Sequence, residues 1–193
     1  LDGDELFFAP RPSHSGSLLL PPLPPSVEKK YGTLGLPGTL VVVLNGIQDA
    51  GNVGAIIRAA DGCGATGIIA IEGTADPFGW KALRGAMGST FRLPVAVRQP
   101  AAEAIAFLKG RHVAIVATVP RQGTPLPDAD LRGSVAVLLG GEGAGLPDDL
   151  VAAADERVTI PMRPPVESFN VAITAALILY EAAKQRDGHV PVR

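Results

Sequence analysis

A single carboxylate, Glu142, sits in the glycine-dense segment GGEGAGLP at 140–147, and Ser168 and Asn170 flank Phe169 in SFNVAITAAL. Glycines let backbone approach a flat ligand closely, and a carboxylate, a hydroxyl and an amide can all hydrogen-bond one. Glu142 is then either an exposed turn residue or a ligand contact. One of Ser168 and Asn170 is expected to cap the helix that follows. Two polar side chains beside a glycine loop also suit a binding role. Segment 140–147 has no Lys or Ser/Thr of a Walker loop, so triphosphate binding is not expected. A third segment, NGIQDAGNVGAIIR, places Asn52 to N-cap a helix and Arg58 about a turn and a half further in. Alone, Arg58 reads as a solvated surface charge.

These groups need elements to hold them. Val135–Leu139 and Val158–Ile160 are short apolar strands that run into the glycine loop and into the loop carrying Met162, Pro164, Pro165, Ser168 and Asn170. Loops at the carboxyl ends of neighbouring strands are where open α/β sheets bind ligands. Upstream, TLVVVLN from Thr39 is a β-branched run suited to a strand buried on both faces. The helix VGAIIRAADG follows, with Val53, Ile56, Ile57 and Ala60 inward and Gly62 or Gly64 to close it. Strands at GIIAI, Val95–Val97 and His112–Thr118, and helices at Ala101–Lys109 and Pro147–Ala154, complete an alternating pattern. That pattern predicts an α/β fold with a mostly parallel sheet and helices on both faces.

GCGATG at 62–67 matches a dinucleotide fingerprint and, with Asp61, mimics a methyltransferase glycine loop. Its context is wrong: such a loop must follow a strand and open a helix. This one follows a helix and precedes a strand, so it reads as a helix stop and turn.

Composition sets further bounds. The chain has 193 residues, 47% hydrophobic, with a net charge of −2. That suits one domain plus a tail and offers no global basic field for nucleic acid, so a nucleic-acid substrate would need a local basic patch. Cys63 is the only cysteine, which excludes an internal disulfide and fits a reducing compartment. The three histidines are far apart, so no metal site is expected. No apolar run approaches a membrane span, and no targeting signal is visible, so a cytoplasmic protein is expected. Residues 1–38 carry seven prolines. They read as an extended tail or linker, a possible remnant of an upstream RNA-binding domain, with the working domain at 39–193.

Taken together, DAGNVGAIIRAA, LLGGEGAGLP and IPMRPPVESFNVAITAAL closely resemble the three motifs of the SpoU/TrmH family of RNA 2′-O-ribose methyltransferases, within the SPOUT superfamily. The resemblance covers about Thr39 to Arg186. One departure is RGAMG, where Ala86 replaces a serine often found in the family's R-x-S-x-G segment.

The resemblance implies a C-terminal deep trefoil knot, a homodimer, and S-adenosyl-L-methionine as methyl donor to a ribose 2′-hydroxyl of rRNA or tRNA. It implies a cofactor site lined by Thr118, Leu139, Gly140, Gly141, Ile160, Met162, Ser168, Asn170 and Ala172, with the glycines explained by close approach to the cofactor. Catalysis would fall to Arg58, with Asn52 and Glu142 holding it or the RNA. A guanidinium stays protonated near neutral pH, so electrostatic stabilisation or phosphate clamping is favoured over general base work. Lys81, Arg84, Arg92 and Arg121 are the local basic residues expected to meet RNA phosphates. A catalytically inactive RNA-binding protein on the same fold is the alternative.

Overall fold

The structure, a computed structural model, describes residues 38–187; the proline-rich segment 1–37 lies outside the described residues. Seven parallel strands form one sheet in the order β3-β2-β1-β6-β4-β7-β5. They are β1 Leu40–Asn45, β2 Gly67–Ile71, β3 Val95–Gln99, β4 Ala114–Thr118, β5 Thr124–Pro125, β6 Val135–Gly140 and β7 Glu156–Thr159. The helices are α1 Ala50–Gly62, α2 Trp80–Ala86, α3 Ala101–Lys109, α4 Asp148–Ala153 and α5 Val171–Asp187.

β1 shows why the sheet needs helices on both faces. Its residues alternate between two cores, because successive side chains of a strand point to opposite faces. Leu40, Val42 and Leu44 join α1, α2 and α5 in one core. Val41 and Val43 join Ala104, Ile105 and Leu108 of α3 and Leu150 of α4 in the other. Both sets are fully buried or nearly so, which accounts for the unbroken apolar run.

Two expectations need correction. β6 and β7 are not neighbours, because β4 lies between them and pairs with both. In addition, α1 begins at Ala50 and its cap is Asp49, whose Oδ1 accepts from Gly51 N at 2.6 Å. Asn52 therefore lies inside the first turn, which frees its side chain for other contacts. The GCGATG segment is a helix stop, with Cys63 as C-cap and Gly64 at φ +76. It lies at the amino end of β2, opposite the edge where the motif loops gather.

The C-terminus of α5 is tied to that amino edge. The Arg186 guanidinium donates to Leu131 O at 2.8 Å and Gly38 O at 2.6 Å, and also to the carbonyls of Thr39 and Gly133.

Candidate functional site

The carboxyl ends of β1 and β6 meet first. Asn45 pairs with Gly140 in the ladder, and beyond them the loops press backbone against backbone. A Cβ on Gly141 would lie 2.3 Å from Gly46 O, and one on Gly140 would lie 2.2 Å from Gly145 C. Gly141 and Gly145 form an antiparallel bridge that folds the loop back on itself. Gly140 and Gly141 are thus required by close approach of the chain to itself, a reason beside the expected approach to a cofactor. Gly143 and Gly145 have φ of +87 and +69, which turn the loop around Glu142.

That contact carries Glu142 to Asn52. Asn52 Nδ2 donates to Glu142 Oε1, while Asn52 Oδ1 accepts from Asn170 Nδ2 at 3.2 Å. Asn170 Oδ1 in turn accepts from Ala172 N at 2.9 Å, so Asn170, not Ser168, caps α5. Each amide in this chain is oriented by the next. The helix N–H fixes the Asn170 oxygen, which turns its NH₂ toward Asn52. The Asn52 oxygen is then the acceptor, and its NH₂ is left to meet a carboxylate. The chain of bonds joins all three glycine- or asparagine-bearing segments and leaves Glu142 exposed at its end.

β4 supplies the middle of the site. Thr118 ends β4 between β6 and β7, with its Oγ1 donating to Leu138 O at 2.8 Å. Leu139 is fully buried. Ile160 and Met162 follow β7 and are half-buried. They line a cleft of about 390 Å³ between the loops after β4 and β7, together with Pro120, Arg121, Pro161 and Glu167. Two apolar walls and flanking backbone suit a flat heterocycle. Of the residues expected at the cofactor, Ile160 and Met162 line this cleft, and their apolar side chains fit the flat part of S-adenosyl-L-methionine. Ser168 is exposed.

The predicted basic residues do not form one patch. Lys81 and Arg84 share α2, whose Ala82 packs against Gly54 of α1. Lys81 Nζ lies 2.9 Å from Asp49 Oδ1, which holds the Asp49 carboxyl below its ordinary value of 3.8. Arg92 pairs with Asp61 at 2.6 Å, near the far end of α1. Arg121 pairs with Glu167 at 2.9 Å on the cleft wall.

Arg58 is exposed and, among the described residues, makes no hydrogen bond or ion pair with Asn52 or Glu142. Six residues along a helix is about 9 Å of rise and about 120° of rotation away from Asn52. Sequence reasoning missed Asp49 as the cap and Thr74 as a brace. Thr74 Oγ1 accepts from Gly46 N at 3.1 Å and donates to Leu44 O at 2.9 Å, holding the loop that Gly141 packs on. The DAGN spelling, with two capping residue types three apart, was the available signal for Asp49.

Residues 39–180 match the SpoU rRNA Methylase family. Among relatives, the 23S rRNA (guanosine(2553)-2'-O)-methyltransferase RlmP of Bacillus subtilis (strain 168) is 36% identical over 72% of this chain and 56% of its own length. The 23S rRNA (guanosine-2'-O-)-methyltransferase RlmB of Burkholderia sp is 35% identical over 76% of this chain and 60% of its own length. The chain thus spans a little over half the length of these relatives. Among solved structures, the AdoMet-bound rRNA methyltransferase of Sinorhizobium meliloti superposes with a TM-score of 0.75 at 35% identity, covering 79% of this chain and 58% of its own. AviRb of Streptomyces viridochromogenes in complex with AdoMet gives 0.77 at 31% identity, covering 83% and 65%.

Proposed function

The chain belongs to the SpoU rRNA methylase family, and from that premise we propose that it transfers the methyl group of S-adenosyl-L-methionine to a ribose 2′-hydroxyl of structured RNA. The names of its relatives favour ribosomal RNA over tRNA. The observation that carries the proposal is the Asn170–Asn52–Glu142 chain of hydrogen bonds. It assembles three sequence-distant segments at the carboxyl edge of the sheet, where such folds bind ligands.

In this mechanism the cofactor supplies an electrophilic methyl on a sulfonium centre. Ile160 and Met162 would hold its flat portion, with backbone at Leu139 and Gly141 beside it. Glu142, held by Asn52, would accept from a ribose hydroxyl and orient it. Positioning of this kind is worth several kcal/mol when the nucleophile is a neutral alcohol. Arg58 stabilises the developing alkoxide or clamps its phosphate, and the proton leaves to water or phosphate. The helical offset of Arg58 from Asn52 supports service to a second protomer's cofactor loop, so we place the active unit as a homodimer.

The same proposal includes the knot. β7 lies two strands beyond β6, yet Asn170 lands against Asn52 after β1. Segment 160–170 must therefore cross the ends of β4 and β6, which supports a threaded C-terminus.

The test is transfer of labelled methyl from S-adenosyl-L-methionine to total ribosomal RNA by the full chain. A 2′-O-methyl group blocks alkaline cleavage, so the label is expected in alkali-resistant dinucleotides. A 2′-deoxy nucleotide at the mapped position abolishes transfer. Label recovered on a base would sink the ribose assignment.

A further inference from the structure

α2 presents an outer face that the core does not explain. Ala82 and Ala86 are buried against α1. On the opposite side, Trp80 and Arg84 lie about 40° apart at 100° per residue, and Met87, the left-handed C-cap, follows at the end of the helix. Trp80 is 75% exposed and Met87 67%, and Phe78 and Phe91 on either side are exposed as well. Leaving an indole this open forgoes the apolar burial that large aromatics usually provide in cores. Arg84, between the two apolar groups, has no ion-pair partner among the described residues. Lys81 borders the face.

We propose that the Trp80–Arg84–Met87 face is a stacking platform for an unpaired nucleobase of the RNA, with Arg84 and Lys81 meeting the adjoining phosphates. The proposal rests on the RNA-methyltransferase function above and adds a contact to it. Unstacked bases are recognised by aromatic and guanidinium planes, and a nearby cation tracks the backbone. The location fits that use. Lys81 grips Asp49, the cap of the helix whose first turn carries Asn52, so the platform borders the carboxyl-edge site. A second copy of the chain suits the face less well. A two-fold contact centred on Arg84 would bring like charges together. The stripe Ile173, Leu177 and Tyr180 on α5 is exposed and free of charge, so it is the better self-association surface.

Trp80 is the only tryptophan in the chain, so indole emission reports on this residue alone. The experiment titrates the full chain with a single-stranded uridine or adenosine oligomer of about twelve nucleotides, within the usual site sizes. Saturable quenching of the emission is expected. Trp80→Ala should weaken oligomer affinity about tenfold or more, and Trp80→Phe should keep most of it. Binding of S-adenosylhomocysteine should be the same in all three. The platform is overturned if RNA binds without changing the emission, if the chain binds S-adenosylhomocysteine but no oligomer, or if Trp80→Ala binds RNA as the parent does. Dissociation of a dimer by Trp80→Ala at unchanged RNA affinity also overturns it and makes the face a subunit contact. Quenching that persists in a chain that neither binds S-adenosylhomocysteine nor transfers methyl would leave the platform standing and remove the enzymatic function instead.

Discussion

Asn170 Nδ2 donates to Asn52 Oδ1 across 3.2 Å, a bond between residues 118 positions apart. It fixes the direction of both amides, because the Asn170 oxygen is already committed to Ala172 N. The Asn52 amide then has only its NH₂ to offer Glu142.

That direction can be reversed by design. Asn52→Asp replaces the donor facing Glu142 with a second carboxylate, and adjacent carboxylates repel. Methyl transfer should fall at least tenfold, and stability by about 1–2 kcal/mol. Adding Glu142→Gln restores a donor-to-carboxylate bond in the opposite sense at unchanged net charge, while the carboxylate introduced at position 52 still accepts from Asn170. The double variant should therefore be more stable than Asn52→Asp alone, with a coupling energy of at least about 1 kcal/mol in urea unfolding. Additive losses would show that the bond contributes nothing.

The glycine loop separates two reasons for a glycine. At Gly140 and Gly141 a Cβ would press into backbone at 2.2 and 2.3 Å, whereas at Gly143 it meets nothing within 4 Å. Gly143→Ala then carries only the cost of a left-handed φ, about 1 kcal/mol, or roughly 2–4 °C in Tm. Gly140→Ala and Gly141→Ala displace a whole backbone segment and should cost more than twice that, with S-adenosylhomocysteine binding lost. Equal Tm values for the three variants would contradict the packing.

Much of this was legible in one sequence, and the failures share a cause. β1 and β6 announce themselves as β-branched or apolar runs because both faces are buried. GCGATG was recognisable as a turn because its neighbours are a helix before and a strand after. Strand order was not legible, since β4 enters between β6 and β7 through contacts that no local pattern encodes. Nor was the cap of α1. Asp49 and Asn52 are equally good capping types, and the choice falls to Asp49 through its tertiary partner Lys81. The self-contact of Gly140 and Gly141 was invisible for the same reason, because the atoms they avoid belong to other loops.

Asp49 makes an acid-limb prediction. Its carboxyl is held below the ordinary 3.8, chiefly by the hydrogen bond from Lys81 and then by Gly51 N. A depressed folded value means the stabilisation is present above pH 3.8 and is lost as pH falls through the lower, folded value. Thermal midpoints of the parent chain should therefore fall as the pH drops below about 4. Asn caps as well as Asp, so Asp49→Asn should nearly match the parent in that acid range and differ from it only modestly at pH 7. A variant whose acid limb is as steep as the parent's would assign the titration elsewhere.

The last prediction concerns α5, which is apolar around most of its circumference. Val171, Ala175, Ile178, Leu179 and Ala182 face the core, yet Ile173, Leu177 and Tyr180 remain 50%, 40% and 58% exposed. A helix apolar on both sides needs a partner on each, and a two-fold contact would set each stripe on its own copy. Leu177→Glu should then give a folded monomer by sedimentation, with unchanged far-ultraviolet circular dichroism. Ala182→Glu, at a fully buried position, should unfold. Whether Arg58 serves its own protomer or the other follows from mixing two inactive variants, Arg58→Ala and Met162→Arg. If Arg58 acts across the interface, each mixed dimer has one site with both residues intact. Random pairing makes half of the dimers mixed, so the mixture should recover about a quarter of parental activity. If Arg58 acts within its own protomer, every site in the mixture carries a defect and no activity returns.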